Sequence, residues 1–310
     1  MLEIHYADHV PLPLPEGHPF PIAKYAAVRR LLEEDGSPTD RFLPAEPVAP
    51  DLLLGAHDAD YVDRWMRGDL PRADVVASGF PWSEGSVRRA LASVGATRGA
   101  FLSAMRNGVG CSLAGGTHHA AKARASGYCI FNDLAVVATA ALAEGRARRV
   151  LIVDLDVHQG DGTAEILGGS EAVFTFSMHG AKNFPRVKVP SHLDVALPDG
   201  TGDDAFLEAL DRHLPEAFAR ARPDVVLYQA GVDPLEGDRL GRLALSHAGL
   251  VARDRRVFET CRAEGTPVAS CQGGGYGRDP SRTVLAHANV VRTARDVFFG
   301  PLRGSERPLR

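Results

Sequence analysis

Asp156, His158 and Asp233 are the residues of this 310-residue chain best suited to chemistry. Two carboxylates and one imidazole form a three-ligand metal site with a position open for water, the mark of a hydrolytic zinc centre. Zinc in such a site lowers the pKa of its water towards about 7 and supplies hydroxide at neutral pH. Asp154, Asp156 and His158 close the apolar run that begins at Leu151. A side-chain period of two places all three on one side of an extended segment. Gly116-Thr-His118-His119 adds two adjacent imidazoles. Neither is needed as a ligand, so one or both can act as general base and acid. Asp154 and Asp161 remain as carboxylates able to fix the tautomers of those histidines. Tyr276, in Gly273-Gly-Gly-Tyr-Gly277, can set a phenol against a substrate carbonyl and, with the metal, stabilise a developing oxyanion. Gly274 and Gly275 beside it permit unusual backbone angles and close substrate approach. Together these groups describe metal-assisted hydrolysis of an amide.

Taken singly, each residue has a plainer reading. A lone Asp or His at a strand end more often caps or hydrogen-bonds, and a glycine run more often turns the chain. The glycine run here lacks phosphate-loop spacing. Nothing near Cys129 would activate a thiolate, so it reads as a buried structural residue. His179 either lines the crevice or packs there. His5, His9, His18, His57, His192, His213, His247 and His287 have no motif context.

The elements that must position these groups follow from the hydrophobic pattern. Strand-like runs at 109–113, 150–154, 173–177, 224–229 and 267–271 alternate with helical segments at 134–143, 204–220, 248–264 and 282–298. Residues 180–203 read as a loop. The alternation predicts an α/β fold, a parallel sheet covered by helices on both faces. No repeat or low-complexity linker divides the chain, so one domain is expected over 1–310, with a loose polar tail at 301–310. The polar motifs all fall just after predicted strands. Ligand sites in open parallel sheets form at the carboxyl ends of strands, so the four segments are expected to converge on one crevice.

Composition narrows the partners. A net charge of -4, 45% hydrophobic and 24% charged residues suit a soluble globular enzyme and argue against a polyanion-binding protein. No apolar run of roughly 18 residues occurs, so no membrane partner is expected. Four cysteines without zinc-finger spacing predict reduced thiols. The first residues lack a basic and an apolar signal region, and a cytoplasmic location is expected.

Five motifs stand in the order found in histone deacetylases. They are Gly115-Gly-Thr-His-His-Ala120, Ser126-Gly-Tyr-Cys-Ile-Phe-Asn-Asp133, Asp154-Leu-Asp-Val-His-Gln-Gly-Asp-Gly162, the string from Ala230 to Gly241, and Gly273-Gly-Gly-Tyr276. The chain resembles a bacterial zinc-dependent member of that superfamily over about residues 15–295. The resemblance implies the arginase/deacetylase fold, with a central parallel sheet of about eight strands. It implies Asp156, His158 and Asp233 as zinc ligands and Tyr276 as the catalytic tyrosine. It also implies His119 as general base with Asp161 behind it, and His118 as electrostatic partner or acid with Asp154 behind it. A structural potassium ion is implied near the zinc, held by main-chain oxygens of the 154–158 segment (Asp154, Asp156, His158) together with Ser177 and Met178. Gly127, Tyr128 and Phe184 resemble the walls of an acyl-lysine tunnel.

Departures from the commonest pattern are informative. His158-Gln159 stands where most relatives carry two histidines. That glutamine, the 235–241 string and the segment Pro15-Glu-Gly-His-Pro-Phe-Pro21 resemble class IV deacetylases, some of which prefer long fatty acyl groups. Polyamine-selective relatives place an acidic gatekeeper at the position of Leu240, which leucine cannot imitate. The expected activity is therefore removal of acetyl or longer acyl groups from lysine side chains, with acetylpolyamine or other small-amide hydrolysis as the alternative. A binuclear manganese ureohydrolase would need further ligands after His158, where Gln159 and Gly160 stand. A silent acyl-lysine binding module would be expected to lack a ligand, the tandem histidines or Tyr276, and all are present.

Overall fold

Strand β4 (Val150–Asp154) is buried along its whole length. Leu151 and Val153 pack into one hydrophobic cluster, and Val150 and Ile152 pack into another. The same split divides Val226 and Tyr228 from Val225 and Leu227 on β7 (Val225–Gly231). Strands buried on both faces read as continuous apolar runs rather than alternating ones, as expected for a parallel sheet between helices.

The computed structural model describes residues 1–300, and the tail expected at 301–310 lies outside the described residues. The other strands are β1 (Leu2–Tyr6), β2 (Asp40–Pro44), β3 (Val109–Ser112), β5 (Val173–Gly180), β6 (Leu193–Leu197) and β8 (Val268–Gly273). They form one eight-stranded sheet in the order β2-β1-β3-β8-β7-β4-β5-β6, with every pairing parallel. The expected sheet of about eight strands is present.

One face is covered by α1 (Ala23–Glu34), α7 (Asp203–Ala221), α8 (His247–Ala263) and α9 (Pro280–Phe299). The other carries α2 (Ala59–Arg67), α4 (Glu84–Asn107) and α5 (Asp133–Ala143), with Trp65 and Phe101 in its core. Short helices α3 (Arg72–Ser78) and α6 (Asp161–Leu167) complete the chain. Local signals set the boundaries. Ser83 and Ser86 form a reciprocal cap at the start of α4, and Gly108 ends it in the left-handed region.

Several boundaries move from expectation. Residues 180–203 contain the edge strand β6, whose polar positions and flanking Pro190 and Ser191 hide it in the sequence. Strands β5, β7 and β8 run further than their apolar runs, so Met178, His179 and Gly273 belong to strands rather than to the loops after them. Hydrogen-bonded pairing, not side-chain apolarity, extends these ends into the polar crevice.

Candidate active site

The four motif-bearing strands β3, β8, β7 and β4 are adjacent in the centre of the sheet. Their carboxyl ends line a cavity of about 670 Å³. Asp156, His158 and Asp233 lie at its floor, and ligand atoms of all three fall within 4.8 Å of one another. His158 Nδ1 is 2.9 Å from Asp156 Oδ1 and 3.1 Å from Asp233 Oδ2. Asp233 is fully buried, and its two oxygens are not equivalent. Oδ1 accepts the Val157 amide at 2.9 Å, whereas Oδ2 has no hydrogen bond.

An orphaned buried carboxylate oxygen beside a second carboxylate is costly unless a cation sits between them. Burial lowers the His158 imidazole, but Asp233 and Asp156 outweigh it and raise it to about 10. The pocket thus favours positive charge. Two oxygens and one nitrogen at these separations match the edges of a tetrahedral zinc shell with bonds of about 2.0–2.2 Å. The residues present therefore fit a divalent ion.

The tandem histidines stand beside this group. His118 Nδ1 is 2.7 Å from Asp154 Oδ2, and His119 Nδ1 is 2.6 Å from Asp161 Oδ1. These are the carboxylates expected behind each histidine. The two rings lie 4.1 Å apart, and His158 is 5.7 Å from His119. Their environments pull them in opposite directions. Burial lowers His118, but Asp154 and Asp156 overcome it and raise it to about 9. Burial lowers His119 as well, and the neighbouring His118 and His158 drive it further below the ordinary imidazole value. Burial, with Tyr25 next, pushes the Tyr276 phenol well above its usual range and keeps it a proton donor.

The chain entering the site is held by buried polar groups. Asp133, at the start of α5, accepts the Gly116 amide at 3.0 Å and the Thr117 amide at 2.7 Å. It also accepts the hydroxyls of Thr97 and Thr117, both at 2.6 Å. This cradle fixes the turn immediately before His118. On the walls, Tyr128 stacks against Tyr276 at 5.9 Å, and Phe184 meets the His119 ring edge-on at 4.8 Å. Tyr128 takes φ 63°, a strained value for a non-glycine residue and one that clusters at functional sites. Gly127 and Gly274 are also left-handed, and a Cβ there would strike His119 and Asp233 respectively. Gly275 shares the left-handed backbone behind Tyr276. Leu240 and Phe184 are half-exposed at the mouth.

For the implied second cation, the register of β4 and β5 sets Asp154 opposite Ser177, with Met178 next along the strand. His179 turns inward and pairs with Ser177 Oγ at 2.9 Å rather than lining the cavity. All four cysteines are free and buried, and burial raises the Cys129 thiol, in keeping with an inert role.

The family model described as "Histone deacetylase domain" matches residues 18–291. The chain belongs to the histone deacetylase family. A histone deacetylase 2 of Arabidopsis thaliana is 31% identical over 86% of this chain and 72% of its own. An uncharacterized protein of Picosynechococcus is 45% identical over 95% of this chain and 98% of its own. Among solved structures, a deacetylase homolog from Aquifex aeolicus superposes with a TM-score of 0.79 at 24% identity, covering 94% of this chain and 84% of that one. The last likeness speaks for the fold. Family membership makes the chain a deacetylase-type hydrolase.

Two residues of this deacetylase-family site escape a motif-based reading. Lys24 of α1 is buried in the cavity wall, donates to the carbonyls of Gly274 and Gly275, and lies 5.1 Å from the Tyr276 ring centre. Burial lowers its ammonium to about 8, against the pull of Asp233 and Asp238. His57 holds the motif loop from behind. Its Nδ1 is 2.9 Å from the Ala121 carbonyl, and its Nε2 accepts the Asn132 amide at 2.9 Å. A single lysine on an amphipathic helix gives no sequence signal, and neither does a lone histidine before one.

Proposed function

We propose that this deacetylase-family chain is a zinc-dependent amidohydrolase that removes acetyl or longer acyl groups from lysine side chains. The carrying observation is that the buried Asp156–His158–Asp233 group lies beside two histidines whose protonation preferences are opposed. Asp156, His158 and Asp233 would hold the zinc ion, which when bound supplies Lewis acidity towards the amide carbonyl and the attacking water.

The remaining roles belong to side chains of this chain. His119 has Nδ1 committed to Asp161, so its Nε2 is the free base, and its depressed basicity keeps it unprotonated and ready to take a proton from water. His118, with its raised basicity, holds positive charge beside the reacting centre. One of the two histidines returns a proton to the departing lysine amine. Tyr276 donates its phenolic hydrogen to the developing oxyanion. Structural potassium is proposed at Asp154, Asp156, His158, Ser177 and Met178, supported by the Asp154–Ser177 register.

Gly127, Tyr128, Phe184 and Leu240 are proposed as tunnel walls for the lysine stem. The cavity of about 670 Å³ is larger than an acetyl group requires. A smaller apolar pocket lies behind the shared wall of Phe20, Tyr25 and Tyr128 and includes Leu12, Phe80 and Phe131. That space favours acyl chains longer than acetyl. The test is hydrolysis of matched lysine peptides bearing acetyl, octanoyl and myristoyl groups by the zinc-loaded protein, with acetylputrescine alongside. Peptide turnover rising with acyl length is expected. Turnover of acetylputrescine alone would overturn the lysine reading in favour of small-amide hydrolysis.

A further inference from the structure

The chain carries a net charge of -4, yet the loops on one side of the cavity mouth are basic. Lys182 and Arg242 line the cavity itself. Arg186 and Arg239 are exposed on the same two loops, and neither has a carboxylate within 4.0 Å among the described residues. Lys182 Nζ and Arg242 Nη1 converge on one carboxylate oxygen, Asp199 Oδ2, at 3.8 and 3.1 Å. One acid shared by two cations leaves a positive charge uncompensated. Asp238 does not supply the balance. Its carboxylate is turned onto the backbone amides of Leu240, Gly241 and Tyr276. Glu236 is exposed on that loop but does not line the cavity.

The two loops are stapled together, so these charges have fixed places. The Asn183 side chain is buried, donates to the Leu240 carbonyl at 2.7 Å and accepts the Arg242 amide at 3.2 Å. Lys182 adjoins Asn183 in the chain, and Arg242 is itself held by the staple through its amide. Their side chains remain 74% and 55% exposed, which leaves them free to meet an incoming group.

We propose that this rim selects acyl-lysine substrates carrying a carboxylate beside the acylated residue, as a free α-carboxylate or an acidic neighbouring side chain. The inference rests on the deacylase reading and names the substrate class within it. A cationic rim also disfavours polycationic substrates by simple repulsion, independently of Leu240. A unit charge about 7 Å from an opposite one in water is favoured about three-fold, and one near a like charge is disfavoured by the same factor, so the one uncompensated positive charge gives on the order of ten-fold between acidic and basic substrates. Salt with a Debye length of about 8 Å should erase most of that factor.

The test compares kcat/KM for one acyl group on lysine peptides with aspartate, neutral or lysine flanks, at low and at physiological salt. A further pair ends at the acyl-lysine, with a free carboxylate or an amide, and separates the two carboxylate sources. Aspartate flanks or a free terminus should exceed lysine flanks about ten-fold at low salt, mainly through KM. The Lys182→Glu/Arg242→Glu double variant should invert the acidic-to-basic ratio, each rate being taken relative to the neutral peptide. Equal rates for the three flanks, or a ratio unchanged in the double variant, would overturn the proposal. Failure of the wild-type protein to hydrolyse even the neutral peptide would instead sink the deacylase reading.

Discussion

Replacing Tyr276 with phenylalanine removes one oxygen atom from a ring that its neighbours hold in place. The backbone amide of Tyr276 donates to Asp238 Oδ2 at 2.6 Å, and its carbonyl accepts from Arg239 Nε at 2.8 Å. Tyr128 stacks on the ring, Lys24 lies over it, and Phe20 sits 6.5 Å away. None of these contacts uses the phenolic oxygen, so the phenylalanine ring should occupy the same position. Metal content and melting temperature should therefore stay close to those of the parent. The loss should fall on the step in which negative charge develops on the carbonyl oxygen. Removing one oxyanion donor typically costs about 10²–10³ in kcat, or roughly 3–4 kcal/mol. Burial keeps the Tyr276 phenol protonated throughout the working pH range, so the deficit should be the same at every pH where the parent is active. Steady-state hydrolysis of an acyl-lysine peptide, with bound metal measured by elemental analysis, reads this directly. A decrease below ten-fold at full metal content would refute the oxyanion role.

The other expectations concern the ligands and the two residues that sequence motifs do not mark. Asp233→Ala should lose bound metal and activity together, because it deletes the unpartnered oxygen that faces His158, and stoichiometric zinc in that variant would show the wrong ligand set. Lys24→Met should lower kcat on the order of ten-fold by releasing the Gly274 and Gly275 carbonyls, with Lys24→Arg recovering most of it; an unimpaired Lys24→Met enzyme would remove Lys24 from the positioning of Tyr276. His57 should make the fold acid-sensitive. Burial lowers its imidazole to about 4, so as pH falls from about 6.5 towards 4 the unfolded chain binds a proton that the fold refuses. The contribution is whole above about pH 6.5 and declines by up to roughly 3 kcal/mol across that window. Urea unfolding against pH should show a shallower decline for His57→Gln, and identical slopes would exclude His57 as a source.

The parts of this molecule legible in the sequence are those where side-chain type and backbone role coincide. β4 is both apolar and central, and its run ends where the proposed ligands begin, but the strand stops at Asp154, so Asp156 and His158 lie in the bends that follow it rather than on the extended segment the period-two reading expected. The convergence of segments more than a hundred residues apart followed from the geometry of parallel sheets. The adjacency of β3, β8, β7 and β4 did not, because strand order depends on pairing between distant segments and leaves no local trace. β1, β2 and β6 were unreadable for a related reason. β2 and β6 lie at the two edges of the sheet and keep polar positions facing water, while β1 is a short segment interrupted by His5, whose Nε2 is buried against Ser103 at 2.8 Å. Asp133 was visible as a motif letter but not as the cradle of the 116–117 turn, since two of its partners are backbone amides that any sequence would supply and a third, the Thr97 hydroxyl, comes from a helix 36 residues away.

The three histidines show how one residue type acquires three tasks. Each presents Nδ1 to a carboxylate, so the nitrogen alone does not distinguish them. The difference lies in what else the acid and the ring can reach. Asp161 hydrogen-bonds His119 alone among them, although its charge is also felt at His118, and its own burial raises its pKa, which limits the charge it lends to the His119 ring. Asp154 and Asp156 both act on His118, and two acids acting on one imidazole favour its cationic form. Around His158 the geometry closes further, with two carboxylates within 3.1 Å of the same nitrogen, and one of their oxygens has no hydrogen bond. That nitrogen suits a cation shell, as proposed, better than the task of a base. With rings 4.1 and 5.7 Å apart, positive charge on His118 and at His158 suppresses it on His119 between them. The base proposed here is therefore specified by its neighbours. A change that weakens Asp154's hold on His118 should raise the basicity of His119 as well as disturb His118, because the two titrations are coupled through that short separation.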